Sequence, residues 1–253
     1  RDVLRGARGG AMKKSKGFSL VELMVAMLLG LLITGAALQL FLANQQSFAL
    51  QQTLSRVQEN GQLFVRFLVS DLRRAGLERD GIAALPPEKG IRFTLSGTVP
   101  GSDNGSDYDR LTLGYHGLSD CEGSVVSDLT EVVNTYFVNS DAELVCQGNL
   151  TGGNGVVLLD GIEAFEVLYG IDENKDGYAN VSRYVEAGSQ GSSPVIAVRF
   201  SLLLREESNS LPESDGTRKF YVLTKTVDEP EDRSVRRIFM STVKMRNYQW
   251  DAV

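Results

Sequence analysis

From Leu23 to Ser55 the chain carries no charged side chain. At ~1.5 Å per residue, a helix over this run is long enough to cross a hydrocarbon core of ~30 Å. Its apolar part extends to about Ala43, and no proline occurs before Pro86. Gly30 and Gly35 are the weak points, each costing a helix ~1 kcal/mol against alanine. One carboxylate, Glu22, lies at the apolar edge of the run. An acidic group near a bilayer centre costs roughly 2.5–3.5 kcal/mol on insertion scales, so a lone one needs a partner or a task.

Charge is unevenly placed around this segment. Residues 1–17 hold six basic residues (Arg1, Arg5, Arg8, Lys13, Lys14, Lys16) and one acid, Asp2. That leaves 20 basic against 31 acidic residues for the rest of the chain, a net charge of −11. The basic end is expected to stay cytoplasmic and the acidic bulk to lie on the other side of the membrane. An acidic exported part excludes broad nucleic-acid binding, which relies on Lys and Arg against phosphates.

Met12 reads as the start of a six-residue leader, Met12 to Gly17, and residues 1–11 show no hydrophobic pattern. After the lysines comes Gly17-Phe18-Ser19-Leu20-Val21-Glu22. This stretch resembles the cleavage and methylation signal of type IV prepilins. The resemblance implies that a membrane peptidase cuts between Gly17 and Phe18 and methylates the new amino group of Phe18. It also implies that Glu22 acts as an assembly charge, pairing with the terminal amine of a neighbouring subunit. Two other readings are an ordinary secretory signal cut near Thr34-Gly35-Ala36 and an anchor that is never processed; Glu22 and the length of the run oppose the first.

The helical pattern continues past the apolar segment. Leu50, Leu54, Val57, Gly61, Phe64, Leu68 and Leu72 recur at spacings of three and four, with Gln, Glu and Arg on the other faces. Such a stripe packs one side of a helix on a domain. With Gly76 as a C-terminal cap, the expected helix runs from about Phe18 to Ala75. Beyond it the period becomes two. Strands are expected at 91–95, 111–115, 131–138, 142–146, 156–159, 163–169, 195–204, 219–227 and 236–245. The fold expected is α+β: a long N-terminal helix, transmembrane in its first half, on a mostly antiparallel β-sheet head. The segments are a leader over 1–17, a membrane or filament-core helix over 18–43, its amphipathic continuation over 44–76 and a periplasmic head over 77–253.

Enzyme chemistry has no candidate here. His116 is the sole histidine and has no nucleophile in its pattern. Gly152-Gly153-Asn154-Gly155 lacks the following helix and Lys-Ser/Thr pair of a phosphate loop, so it reads as a turn. Cys121 and Cys146 both fall in the exported part and read as a disulfide, the alternative being two reduced buried thiols. A loop of that size stabilises by about 3.5 kcal/mol in the chain-entropy model.

Arg56-Val57-Gln58-Glu59-Asn60-Gly61, Leu68 to Gly76, Tyr169 to Gly177 and the closing strand ending in Arg246-Asn247 together resemble PilW-type minor pilins. The resemblance implies a non-catalytic, low-abundance subunit that helps prime type IV pilus assembly. Its partners would be other minor and major pilins and the prepilin peptidase. Its location would be the inner membrane and then the pilus. The alternatives are a pseudopilin of a type II secretion system and a pilus-tip adhesion or ligand-binding subunit. One further motif is local. Asp172, Asn174, Asp176, Tyr178 and Asn180 fall at positions 1, 3, 5, 7 and 9 of a calcium loop, with Gly177 at 6. Position 12 is Arg183 instead of a glutamate. The same run also fits a β-turn in which Gly177 takes a positive φ.

Overall fold

The computed structural model describes residues 17–76, 91–93 (backbone only), 108–150, 152–174, 180–208 and 211–247. The chain divides into two compact units, 1–48 and 49–253. A single helix, α1 (Leu20–Leu72), runs from the first into the second. It is long and apolar enough by length and composition to cross a membrane. In the first unit its side chains are exposed, and Thr34 Oγ1 donates to the Gly30 carbonyl at 2.8 Å.

In the second unit α1 buries Val57, Gly61, Phe64, Leu68 and Leu72, the face that the three-four spacing predicts. The helix is three residues shorter at its C-terminus than expected. Its last turn tightens, with the Arg74 and Ala75 amides donating to Asp71 and Leu72 three residues back, and Gly76 takes φ +76°. The orphan carbonyls of Arg73, Arg74 and Ala75 accept from Asn247 Nδ2 at 3.0, 3.4 and 3.1 Å.

The strands form two antiparallel sheets and a ribbon, where one sheet was expected. The first sheet contains β1 (Ile91–Phe93), β2 (Leu111–Ser119), β3 (Val125–Val138), β4 (Leu144–Gln147) and β5 (Val156–Leu159), in chain order. The second contains β6 (Ile162–Ile171), β7 (Arg183–Val185), β8 (Val195–Glu207) and β11 (Ser234–Lys244), in the order β11-β8-β6-β7. The break between sheets falls at Gly161, with φ +70° and its carbonyl accepting from the Arg205 amide at 2.7 Å. A Cβ there would lie 2.2 Å from the Arg205 carbonyl oxygen, so only glycine fits the crossing. The expected single strand over 219–227 is a hairpin, β9 (Lys219–Val222) and β10 (Lys225–Asp228), joined by Leu223-Thr224. Leu223 supplies the turn at φ +51°, a conformation that a bulky side chain does not advertise in sequence.

The core lies between α1 and both sheets. Phe64 meets Phe165 and Phe200 edge-on at ring separations of 6.4 and 6.2 Å, and Phe67 meets Tyr136 at 6.3 Å. Gly61 lets β11 approach the helix. A Cβ at Gly61 would sit 2.1 Å from the Phe239 ring.

Candidate functional site

Two regions of α1 carry the functional argument, one in each unit. At the first, Gly17, Phe18 and Ser19 precede the helix and are not helical. Phe18 is 85% exposed and nothing lies near Gly17, so this peptide is accessible. Glu22 sits in the first turn. Its Oε2 accepts the Ser19 amide at 3.4 Å, while the Leu23 amide donates to the Ser19 carbonyl at 3.1 Å. That is the glutamate half of a capping box, so the carboxylate also satisfies an orphan amide of its own helix.

In the second unit α1 is fastened to the first sheet by a buried carboxylate. Asp71 is 5% exposed and its Oδ2 accepts from Tyr136 Oη at 2.7 Å and Asn134 Nδ2 at 3.0 Å. Asn134 Nδ2 also donates to Tyr115 Oη at 3.2 Å, and Asn134 Oδ1 accepts the Cys121 amide at 3.1 Å. Burial first, and the Asp71 charge second, push the Tyr136 and Tyr115 hydroxyls well above their ordinary range, so both stay protonated donors. Cys121 and Cys146 are disulfide-bonded, as expected from their number and compartment, and Cys146 pairs with Tyr136 across β3 and β4. Both cysteines of the disulfide therefore abut the β3 residues that hold Asp71. The signal for Asp71 was in the sequence: a lone acid three residues past Leu68 on the apolar stripe.

A second ionic group lies on the far sheet. The Arg236 side chain is fully buried and donates to Glu163 Oε2 at 2.7 Å and Asp232 Oδ1 at 2.8 Å. Arg218 holds Glu229 at the base of the β9–β10 hairpin. Hydrogen bonding from these guanidiniums holds the Asp232 and Glu229 carboxyls below the usual carboxylate range. Sequence reading missed this group, because its members are distant in the chain and charged residues ordinarily read as surface.

His116 lies in β2 opposite Glu131, and its buried Nδ1 has no hydrogen-bond partner. Gly152 and Gly155 take positive φ, as a turn requires. Asp172 is buried at the end of β6, its amide donating to the Pro194 carbonyl, whereas Asn174 and Asn180 are exposed. Asp176, Gly177 and Tyr178 lie outside the described residues. Among the described residues no group of three His, Cys, Asp or Glu side chains converges as a metal site would require.

A spanning-length N-terminal helix with an exposed, non-helical Gly-Phe at its head and antiparallel sheets on its second half defines a pilin-like protein. Residues 12–38 match the prokaryotic N-terminal methylation motif, and residues 135–247 match the family of type IV pilus-assembly protein W. Over its second half the chain is thus similar to the PilW family of type IV pilus-assembly proteins, and at its start it carries the methylation motif. Among solved structures it is similar to a type IV-like pilin from Thermus thermophilus. The identity is 18% and the TM-score 0.46, over 76% of this chain and 97% of that one. No curated protein matches the chain.

Proposed function

We propose that this chain is a minor pilin that primes pilus assembly, inserted in the inner membrane with its head in the periplasm. Cleavage falls between Gly17 and Phe18, and the new Phe18 amine is methylated. The observation that carries this reading is the juxtaposition of an exposed, non-helical Gly17-Phe18 bond with a helix that begins at Leu20 and carries Glu22 in its first turn. Methylation leaves the amine cationic. In lipid its attraction to a neighbouring subunit's Glu22 is far stronger than in water, and so sets the axial register of entering subunits. Glu22 in the free subunit caps its own helix, and docking exchanges that amide for the neighbour's amine.

N-terminal sequencing and mass measurement of the membrane-extracted protein test the processing step. The expected start is methyl-Phe18; a start at Met12 or near Ala37 overturns it. Glu22→Ala is expected to be cleaved normally yet fail to enter the complex with other pilins. A deletion strain is expected to lose pili while retaining type II secretion. Loss of secretion with normal pili would reassign the chain to a pseudopilus.

A further inference from the structure

Among the described residues the two sheets have four edge strands, and three of them are short. β1 and β7 have three residues each, and β5 has four, with a register shift where it meets β4. Short or irregular edges keep a sheet from pairing with other chains. The fourth edge, β11, lacks these devices. It has 11 residues, contains no proline, and pairs with β8 in one unbroken register from Ser234 opposite Glu207 to Lys244 opposite Ala197. Among the described residues no strand pairs with its far side.

Two bonds fix the direction of its backbone groups. The Ser208 amide donates to the Arg233 carbonyl at 3.0 Å, and the Met245 amide donates to the Ile196 carbonyl at 2.8 Å, one at each end of the ladder. Hydrogen-bonded positions alternate in an antiparallel pair, so the odd-numbered residues between these bonds turn their N–H and C=O groups to β8. Ile238, Met240, Thr242 and Lys244 therefore present theirs outward, over ~20 Å of strand. Nearer the start, Asp232 accepts the Ser234 amide and, with Glu163, holds the Arg236 side chain, which leaves 238–244 as the open part. Ile238 is 37% exposed and Met240 61%.

The charge of this edge is as distinctive as its length. From Arg233 to Trp250 the basic residues are Arg233, Arg236, Arg237, Lys244 and Arg246, with no acid among them, in a chain that is acidic beyond its leader. Arg236 is paired internally, whereas Arg237, Lys244 and Arg246 are exposed. We propose that the 238–244 edge of β11 is a docking site for an extended, acidic segment of a partner protein, which adds a fifth strand to the second sheet. The outward N–H and C=O groups supply the ladder. Alternate apolar residues of the segment lie beside Ile238 and Met240, and its carboxylates lie near Arg237 and Lys244. A second copy of β11 does not fit, because pairing two such edges brings basic residues together and supplies no acid to meet them.

Fluorescence anisotropy with the labelled peptide Glu-Val-Thr-Val-Thr-Val-Glu, on the full chain in mild non-ionic detergent, tests this. Saturable binding is expected, about tenfold weaker for the counterpart with lysine at both ends. Met240→Pro removes one outward N–H and takes no bond from β8, so it should bind the first peptide about tenfold less while remaining folded. Arg237→Glu combined with Lys244→Glu should reverse the preference between the two peptides, whether or not the proline is accommodated. Residue-resolved hydrogen exchange without peptide should show the Met240 and Thr242 amides fast and those of Phe239 and Val243 slow, and the peptide should slow the first pair. The proposal is overturned by an absence of saturable binding, by equal affinity for both peptides, by an unchanged preference in the double variant, or by undiminished binding to folded Met240→Pro. Met240 and Thr242 amides already as slow as their neighbours would mean that the edge is covered, and would overturn it as well.

Discussion

Removing the Asp71 carboxylate is the sharpest test of how the helix is held on the first sheet. Asp71→Ala leaves the Tyr136 hydroxyl and the Asn134 amide, 0% and 1% exposed, with a lost acceptor. A buried donor without a partner costs about 1–3 kcal/mol, so two of them and the lost packing give a loss of about 3–5 kcal/mol. Tyr136→Phe removes one donor and leaves the carboxylate held by Asn134, at about 1.5–3 kcal/mol. Once the carboxylate is gone, removing the hydroxyl relieves one of the orphaned donors. The double variant should then lose less than the two single losses together, by about 1–3 kcal/mol. Urea and thermal unfolding of the full chain in mild detergent measure the cycle, and about 2–4 °C per kcal/mol is expected for a unit of this size. Additivity within about 0.5 kcal/mol would refute the argument, because it would mean that Asp71 and Tyr136 do not depend on one another.

The remaining predictions concern packing, covalent closure, charge and metal. Gly61→Leu should cost about 2 kcal/mol or more, since even a Cβ collides with the Phe239 ring, and Phe239→Ala should recover part of it when the two are combined. Cys146→Ser should lower the unfolding midpoint by the equivalent of about 3.5 kcal/mol, and reductant should have the same effect on the wild type but none on the variant. Arg236→Met leaves Glu163 and Asp232 without their buried partner and should cost about 3–5 kcal/mol. The low carboxyl of Asp232 adds stability that is present above the ordinary aspartate range and lost as pH falls through its folded value. Acid titration of wild type should show that loss, and Arg236→Met should lack it. Melting with millimolar calcium and with chelator separates the two readings of the Asp172 run: a rise in midpoint that Asp176→Ala abolishes assigns it a metal, and an unchanged midpoint assigns it a turn.

Much of this architecture was legible because it rests on local periodicity. The uncharged run, and then the apolar residues from Val57 to Leu72 at three-four spacing, specify the helix and its buried face. The Val- and Leu-rich runs at 156–159 and 195–204 specify strands. What stayed hidden depends on partners distant in sequence. That β5 and β6 belong to different sheets is decided at Gly161, by its approach to Arg205. The turn at Leu223-Thr224 escaped because it uses neither glycine nor asparagine. Asp71 was visible as an acid on an apolar stripe, but its role requires Tyr136 and Asn134 on β3.

The Asn247 clasp on the end of α1 has a consequence for the order in which the molecule can form. The bonds to the carbonyls of Arg73, Arg74 and Ala75 span sequence separations of 174, 173 and 172. At a synthesis rate of about 5–20 residues per second, the helix is finished roughly 10–35 s before its clasp exists. For that interval the stripe from Val57 to Leu72 has no β11 to lie against, and Gly61 has no Phe239. The first sheet, complete at Leu159, can cover part of the helix earlier, so the contacts with β11 and the Asn247 clasp are the last to close.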